Sequence, residues 1–240
     1  MQQKHFLYIL IALAAVFSTV ACDDDDDKNK VDYTKYYGWR DQNTALSAQY
    51  IYDIRQMGDR AYFTDSIRSF SEPYAIPTVY RVLQSANEDS LRAINRWYTP
   101  YANSTLTARY TLFDTKSVMK FFEEHDMLTN QANRNDSALM NKCFGIGRTW
   151  GDPDYDLKAD TLESALVKPF RDFTCQSVIA GWGDVLQHMH IGDRWLISIP
   201  WFLAYGQAGS GKTIQPYSNL YFMLELSDIT YWGGTVSDVE

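Results

Sequence analysis

The chain has 240 residues, a formal net charge of −8 and 45% hydrophobic residues, including 7 Trp, 17 Tyr and 12 Phe. Such content can fill the core of one medium domain and excludes general disorder. The acidity argues against a nucleic-acid partner, three cysteines are too few for a disulfide scaffold, and a single long apolar run excludes a polytopic membrane protein.

That run opens the chain. Lys4 supplies a positive charge, and Phe6 to Ala21 is almost unbroken apolar sequence ending in small residues. It is shorter than the roughly 20 residues a spanning helix needs, so residues 1–21 read as a signal peptide, with an uncleaved anchor helix as the alternative. Thr19-Val20-Ala21-Cys22 resembles the bacterial lipobox, with Thr19 in place of the usual Leu. The resemblance implies that Cys22 is lipidated and becomes the mature N-terminus, several acyl chains giving a firm anchor. Asp23 to Asp27 follow at once, and such a run stays solvated. Residues 22–35 are therefore expected to be a lipidated cysteine and an acidic, flexible tether. An acidic run directly after the cysteine also resembles the surface-export signal of one phylum of Gram-negative bacteria. The expected location is the cell envelope, as an outer-membrane lipoprotein of a Gram-negative bacterium, with cell-surface exposure as a further expectation. The membrane would be met through the lipid anchor alone.

Beyond the tether, Trp39, Leu46, Tyr50, Ile54 and Met57 recur at helical spacing, with Gly58 as a C-cap. A second short helix is expected over Asp65 to Phe70, ended by Pro73 and Pro77. Residues 36–75 thus read as a helical N-terminal segment that packs on a sheet or, alternatively, dimerises. Pro77 to Leu83 reads as a strand, and Thr105 to Phe113 alternates with period two. Ser117 to Met127 is helix-like, and residues 129–164, rich in Asn, Asp and Gly, suggest a long insertion loop. Val185 to Met189 reads as a short amphipathic helix ending at Gly192, followed by strands over Arg194 to Pro200 and Asn219 to Ser227. The pattern implies an α+β fold with an antiparallel sheet. Cys143 and Cys175 could pair in an oxidising envelope, or stay as free buried thiols.

Gly206-Gln-Ala-Gly-Ser-Gly211-Lys212-Thr213 satisfies the P-loop pattern GxxxxGK[ST]. That motif cradles phosphate only between a strand and a helix N-terminus. Pro216 follows three residues after Thr213 and would disrupt such a helix, so no nucleotide is expected here. His125, His188 and His190 lack metal-ligand company. No cofactor or metal is expected.

One ordered series remains: Val178-Ile179-Ala-Gly181-Trp182, Leu186-Gln187-His-Met189-His-Ile-Gly192, Ile199-Pro200, Leu203-Ala204-Tyr205-Gly206, Ile214-Gln-Pro216 and Leu220-Tyr-Phe222-Met-Leu-Glu225-Leu226. It resembles the FKBP-type peptidyl-prolyl cis-trans isomerase family, without a gap from Val178 to Leu226. Upstream, Arg109-Tyr110-Thr111 resembles the family's His-Tyr-Thr-Gly strand with Leu112 for Gly. Gly147-Arg-Thr-Trp150 resembles the turn before the family's Phe-Asp pair, and Pro169-Phe170 the pocket edge. The implied fold is a strongly curved antiparallel sheet wrapped around one short helix, over residues 76–230. An insertion is expected at about 113–146, and a C-terminal tail at 231–240.

The resemblance implies a pocket with Trp182 as floor and Tyr110, Trp150, Phe170, Val178, Ile179, Tyr205, Ile214 and Phe222 as walls. The Ile179 N–H and the Tyr205 hydroxyl would bind substrate carbonyls. The implied partners are proline-containing polypeptides, with macrolide immunosuppressants as inhibitors. Without the resemblance the same aromatics read as ordinary core packing. The family's acid is missing, because Trp150 is followed by Gly151. The implied activity is X-Pro isomerisation of exported or envelope proteins, and the alternative is a catalytically weak or inactive lipoprotein that binds a protein, peptide or glycan.

Overall fold

The computed structural model describes residues 31–57, 64–70, 75–144 and 171–231. The signal peptide, Cys22 and its acidic run, Gly58, Trp150, Gly151, Phe170 and the tail beyond Tyr231 lie outside the described residues.

Helix α1 spans Tyr37–Met57. Its inward positions keep the three-to-four spacing of one helical face, and Asn43, Leu46, Ser47, Tyr50 and Asp53 are all buried. β1 (Thr64–Ile67) and β2 (Thr78–Gln84) pair antiparallel. Helix α2 (Glu88–Ala93) starts at Asn87, whose side chain accepts the Ser90 N–H. β3 (Thr105–Phe113) runs into Asp114, which caps α3 (Thr115–Glu124) by accepting the Ser117 N–H. Then come α4 (Gln131–Asn135), α5 (Ser137–Phe144) and β4 (Arg171–Thr174). Helix α6 (Ala180–Leu186), β5 (Arg194–Ile199) and β6 (Leu220–Tyr231) complete the series. The strand order is β1-β2-β5-β6-β3-β4, and every neighbouring pair is antiparallel. The fold is α+β, with the helical N-terminal segment expected from the sequence.

Three expectations are corrected. Asp65 to Phe70 is not a helix. Residues 64–67 form edge strand β1, because their backbone groups find partners along β2, Thr64 opposite Arg81 through Ile67 opposite Thr78. The described part of the 36–75 segment is therefore helix plus strand. The described part of the insertion is not a loop either, since α4 and α5 occupy residues 131–144. The Asn and Asp that suggested a loop act as caps: Asn130 accepts the Ala132 N–H, and Asp136 the Ala138 N–H, at 2.9 and 2.7 Å. Finally, the short helix expected at Val185 to Met189 begins five residues earlier, at Ala180.

The sheet separates two apolar cores. On one face Trp195, Ile197 and Ile199 of β5 and Phe222, Leu224 and Leu226 of β6 pack on Trp182, Val185 and Leu186 of α6. On the other face the intervening residues Leu196, Tyr221 and Met223 pack on Leu46 and Tyr50 of α1 and Val118 and Phe122 of α3. Strand residues thus alternate between two buried faces. Cys175 lies in the first core and Cys143 in the second, both as free thiols.

The second core also holds an ion pair. The Arg134 guanidinium of α4 donates to Asp53 of α1 at 2.5 and 3.1 Å and to the Met127 carbonyl at 2.9 Å, with both side chains about fully buried. The pair ties the far end of α1 to the insertion. Arg134→Met alone leaves a buried carboxylate without its partner and is expected to cost about 3–5 kcal/mol. The double variant Arg134→Met/Asp53→Leu is expected to be more stable than that single variant. Urea unfolding monitored by circular dichroism checks both.

Candidate functional site

The site is built around α6, which approaches its neighbours too closely for side chains at two positions. A Cβ on Gly183 would lie 2.3 Å from the Cys175 carbonyl oxygen, and one on Gly181 would lie 2.5 Å from Ile199 Cγ2. The two glycines let the helix sit on β5 and against the Cys175–Ser177 turn. Trp182 is then held indole-inward.

Four aromatic rings meet there. Tyr110 of β3 stands edge-on to Trp182 with centroids 4.9 Å apart, and Phe173 of β4 does the same at 5.3 Å. Phe222 of β6 lies 5.6 Å from Trp182 and 5.9 Å from Tyr110, and Tyr110 is 6.2 Å from Phe173. These are the separations and tilts that aromatic quadrupoles favour. The Trp182 Nε1–H is buried and has no partner among the described residues. Val178 and Ile179 lead into α6 and pack half-buried on the same core. No described group accepts the Ile179 N–H, and the Ile179 carbonyl accepts from Trp182 and Gly183 at 2.9 and 3.1 Å.

The other rim is the segment between β5 and β6. A 3-10 turn at Trp201–Leu203 leads to Tyr205, which is 43% exposed, and then to Gly206. Ser210 and Ile214 form an isolated antiparallel bridge that folds the segment back, and Ile214 packs half-buried against the core of Trp182. No helix follows Thr213, so the strand-to-helix setting of a phosphate-binding loop is missing. Of the nine pocket residues expected from sequence, Tyr110, Trp182 and Phe222 meet ring to ring, and Val178, Ile179 and Ile214 join their core. Tyr205 is exposed and outside that core.

Residues 164–227 match the family described as FKBP-type peptidyl-prolyl cis-trans isomerase. This stretch of the chain is similar to FKBP-type domains. Over 57 residues it is 51% identical to the macrophage infectivity potentiator of Trypanosoma cruzi, covering 24% of this chain and 29% of that protein. Over 58 residues it is 43% identical to the FKBP-type 22 kDa peptidyl-prolyl cis-trans isomerase of Escherichia coli K12, covering 24% of this chain and 28% of the relative. The similarity thus spans under a third of either relative. A peptidyl-prolyl cis-trans isomerase crystal structure from Pseudomonas syringae is 20% identical with a TM-score of 0.39, covering 77% of this chain and 92% of that one.

Phe173 was missed from sequence. It lies in a four-residue strand, too short for period two to show, and is recognisable only through its pairing with Leu106. The cysteines are not nucleophiles of this site. Burial pushes the Cys143 thiol up to about 12 and the Cys175 thiol up to about 11. Both stay protonated through pH 9, and the thiol form is unreactive. Iodoacetamide at pH 8 is therefore expected to leave both unmodified in the folded protein and to alkylate both in urea, as read by peptide mass spectrometry.

Proposed function

We propose that the FKBP-type domain catalyses cis-trans isomerisation of X-Pro bonds in exported or envelope proteins. The observation that carries this reading is the Tyr110–Phe173–Trp182–Phe222 box, four aromatic rings brought together from three strands and α6. Amide resonance sets a barrier of about 18–20 kcal/mol to X-Pro rotation, and water bound to the carbonyl favours the planar form. A slot that grips the proline ring and excludes that water favours the twisted amide over the planar one. Rotation breaks no covalent bond, so the chemistry needs no nucleophile, metal or proton relay.

In this reading the proline ring lies over Trp182, walled by Tyr110 and Phe222. The Ile179 N–H and the Tyr205 hydroxyl take the substrate carbonyls. An Ile179 N–H with no acceptor among the described residues and an exposed Tyr205 suit that role. A macrolide immunosuppressant would fill the same slot. The full-length chain in detergent is expected to accelerate isomerisation of short X-Pro peptides and to be blocked by such a macrolide. Trp182→Leu is expected to lower kcat/KM at least about tenfold, the loss that follows when about 1.4 kcal/mol of transition-state binding is removed. No acceleration by folded wild-type protein would sink the enzyme reading.

Gly151 at the family's acid position favours one second reading, a catalytically weak FKBP-like protein that binds polypeptides through the same slot. Macrolide binding without acceleration would select it. We also propose that the chain is an envelope lipoprotein, on the strength of the apolar run, Cys22 and the acidic residues after it. Labelled palmitate is expected to enter the protein in a Gram-negative host and to be lost in Cys22→Ser, and equal labelling of the two would remove this proposal.

A further inference from the structure

The segment between β5 and β6 carries Tyr205 and Ile214, and over its length it has one 3-10 turn and one isolated bridge as regular structure. A segment with so few internal ladder bonds holds its side chains only as well as its ends are fixed. Its ends are fixed by α1. At the first end the Trp201 Nε1–H donates to Thr44 Oγ1 at 2.8 Å, and the Trp201 N–H donates to Asn219 Oδ1 at 3.0 Å. At the second end the Trp39 Nε1–H donates to Ser218 Oγ at 3.1 Å. Asn43 and Asn219 meet between them: the Asn219 N–H reaches Asn43 Oδ1 at 3.0 Å and its Nδ2 reaches the Asn43 carbonyl at 2.8 Å.

Both anchored ends continue to Gly206, the residue after Tyr205. The Gly206 N–H donates to the Trp201 carbonyl at 2.9 Å, and the Tyr217 N–H donates to the Gly206 carbonyl at 3.0 Å. Tyr217 is itself pressed by Trp201 at 5.0 Å and by Tyr37 of α1 at 6.3 Å, with the Arg40 guanidinium 4.3 Å from the Tyr37 ring. A continuous set of contacts therefore runs from α1 through Trp201 and Ser218 to the backbone that presents Tyr205.

We propose that α1, acting through Trp39, Asn43 and Thr44, is a positioning element for Tyr205. This rests on the isomerase reading above and deepens it: the N-terminal helix is part of the site's support, and its loss misplaces the polar rim while leaving the aromatic floor intact. Trp39 and Thr44 are positioning residues, since neither touches the slot.

The test uses the full-length chain in detergent with Thr44→Val, which keeps the shape and removes the acceptor for Trp201, with Trp39→Phe, which keeps an aromatic ring and removes the donor to Ser218, and with the double variant. Far-ultraviolet circular dichroism and the melting temperature report folding. Isomerisation of an X-Pro peptide gives kcat and KM, and fluorescence titration gives macrolide affinity. The double variant is expected to lose about tenfold or more in kcat/KM and to bind macrolide more weakly, at a temperature where it is fully folded. Thr44→Ser, which restores the acceptor for Trp201, is expected to recover the Thr44 share. A lowered melting temperature with unchanged kcat/KM and unchanged macrolide affinity would overturn the proposal, leaving α1 a purely structural helix. Wild-type protein that neither isomerises nor binds macrolide would instead remove the isomerase reading, and this proposal with it.

Discussion

Asn219 has no exposed surface, and a buried amide is tolerable only when its donors and acceptors are met. Here they are met from three separate stretches of the chain. Asn43 takes the backbone N–H and one side-chain proton, Ser47 takes another at 3.0 Å, the Trp201 N–H fills the side-chain oxygen, and Thr115 Oγ1 donates to the carbonyl at 2.6 Å. Inside a low-dielectric core such a network is strong when complete and costly when partial. α1, the Trp201 turn and the first residue of α3 must therefore assemble together around the last residue before β6. That residue decides where the pocket-bearing segment ends and the central strand begins.

The central strand, in turn, has no solvent face to fall back on. Leu220, Phe222 and Leu224 point to the α6 core, while Tyr221 and Met223 point to the core of α1 and α3. A slip of one residue would exchange the two sets, placing Tyr221 against Trp182 and Phe222 against α1. Burial on both faces fixes the register as firmly as the ladder bonds do. The Phe222 ring reaches the aromatic box because Tyr221 is held on the opposite side by Phe122 at 6.1 Å. The insertion and α1 thus help to specify the pocket from behind the sheet.

What could be read from sequence follows from where each signal lives. The strands at Thr78, Thr105, Arg194 and Leu220 were legible because their alternation or apolar content is local. α1 was legible through Trp39, Leu46 and Tyr50, but only half of its buried face was visible. Asn43, Ser47 and Asp53 look like solvent residues, and their partners Asn219 and Arg134 lie far along the chain. A polar residue becomes interior only when a distant partner satisfies it, and spacing cannot show that. The same reason hid β1, whose four residues become a strand by pairing with β2. Asn130 and Asp136 misled in the opposite way, since capping residues and loop residues are chemically the same. In the candidate site, Trp182, Tyr110 and Phe222 were legible through an ordered resemblance, whereas Phe173 depended on a strand too short to leave a pattern.

The missing acid at Gly151 bears differently on the floor of the slot and on its rim. An acid beside a pocket tyrosine serves partly to hold the phenol ring in place. Tyr110 has other constraints: Trp182 at 4.9 Å, Phe222 at 5.9 Å and Phe173 at 6.2 Å enclose its ring on three sides. Its orientation is over-determined by packing, and the floor keeps its shape without a carboxylate. On the proposed isomerase reading, proline binding would rest on that floor and would be insulated from the substitution. Stabilising the twisted amide would be another matter, because it would depend on donors aimed at substrate carbonyls, which that reading places at Ile179 and Tyr205. The segment that carries Tyr205 is held by hydrogen bonds that end on α1, outside the region of family similarity. On that reading the line between a protein that grips proline and one that turns it would run through the support of Tyr205, not through the aromatic floor.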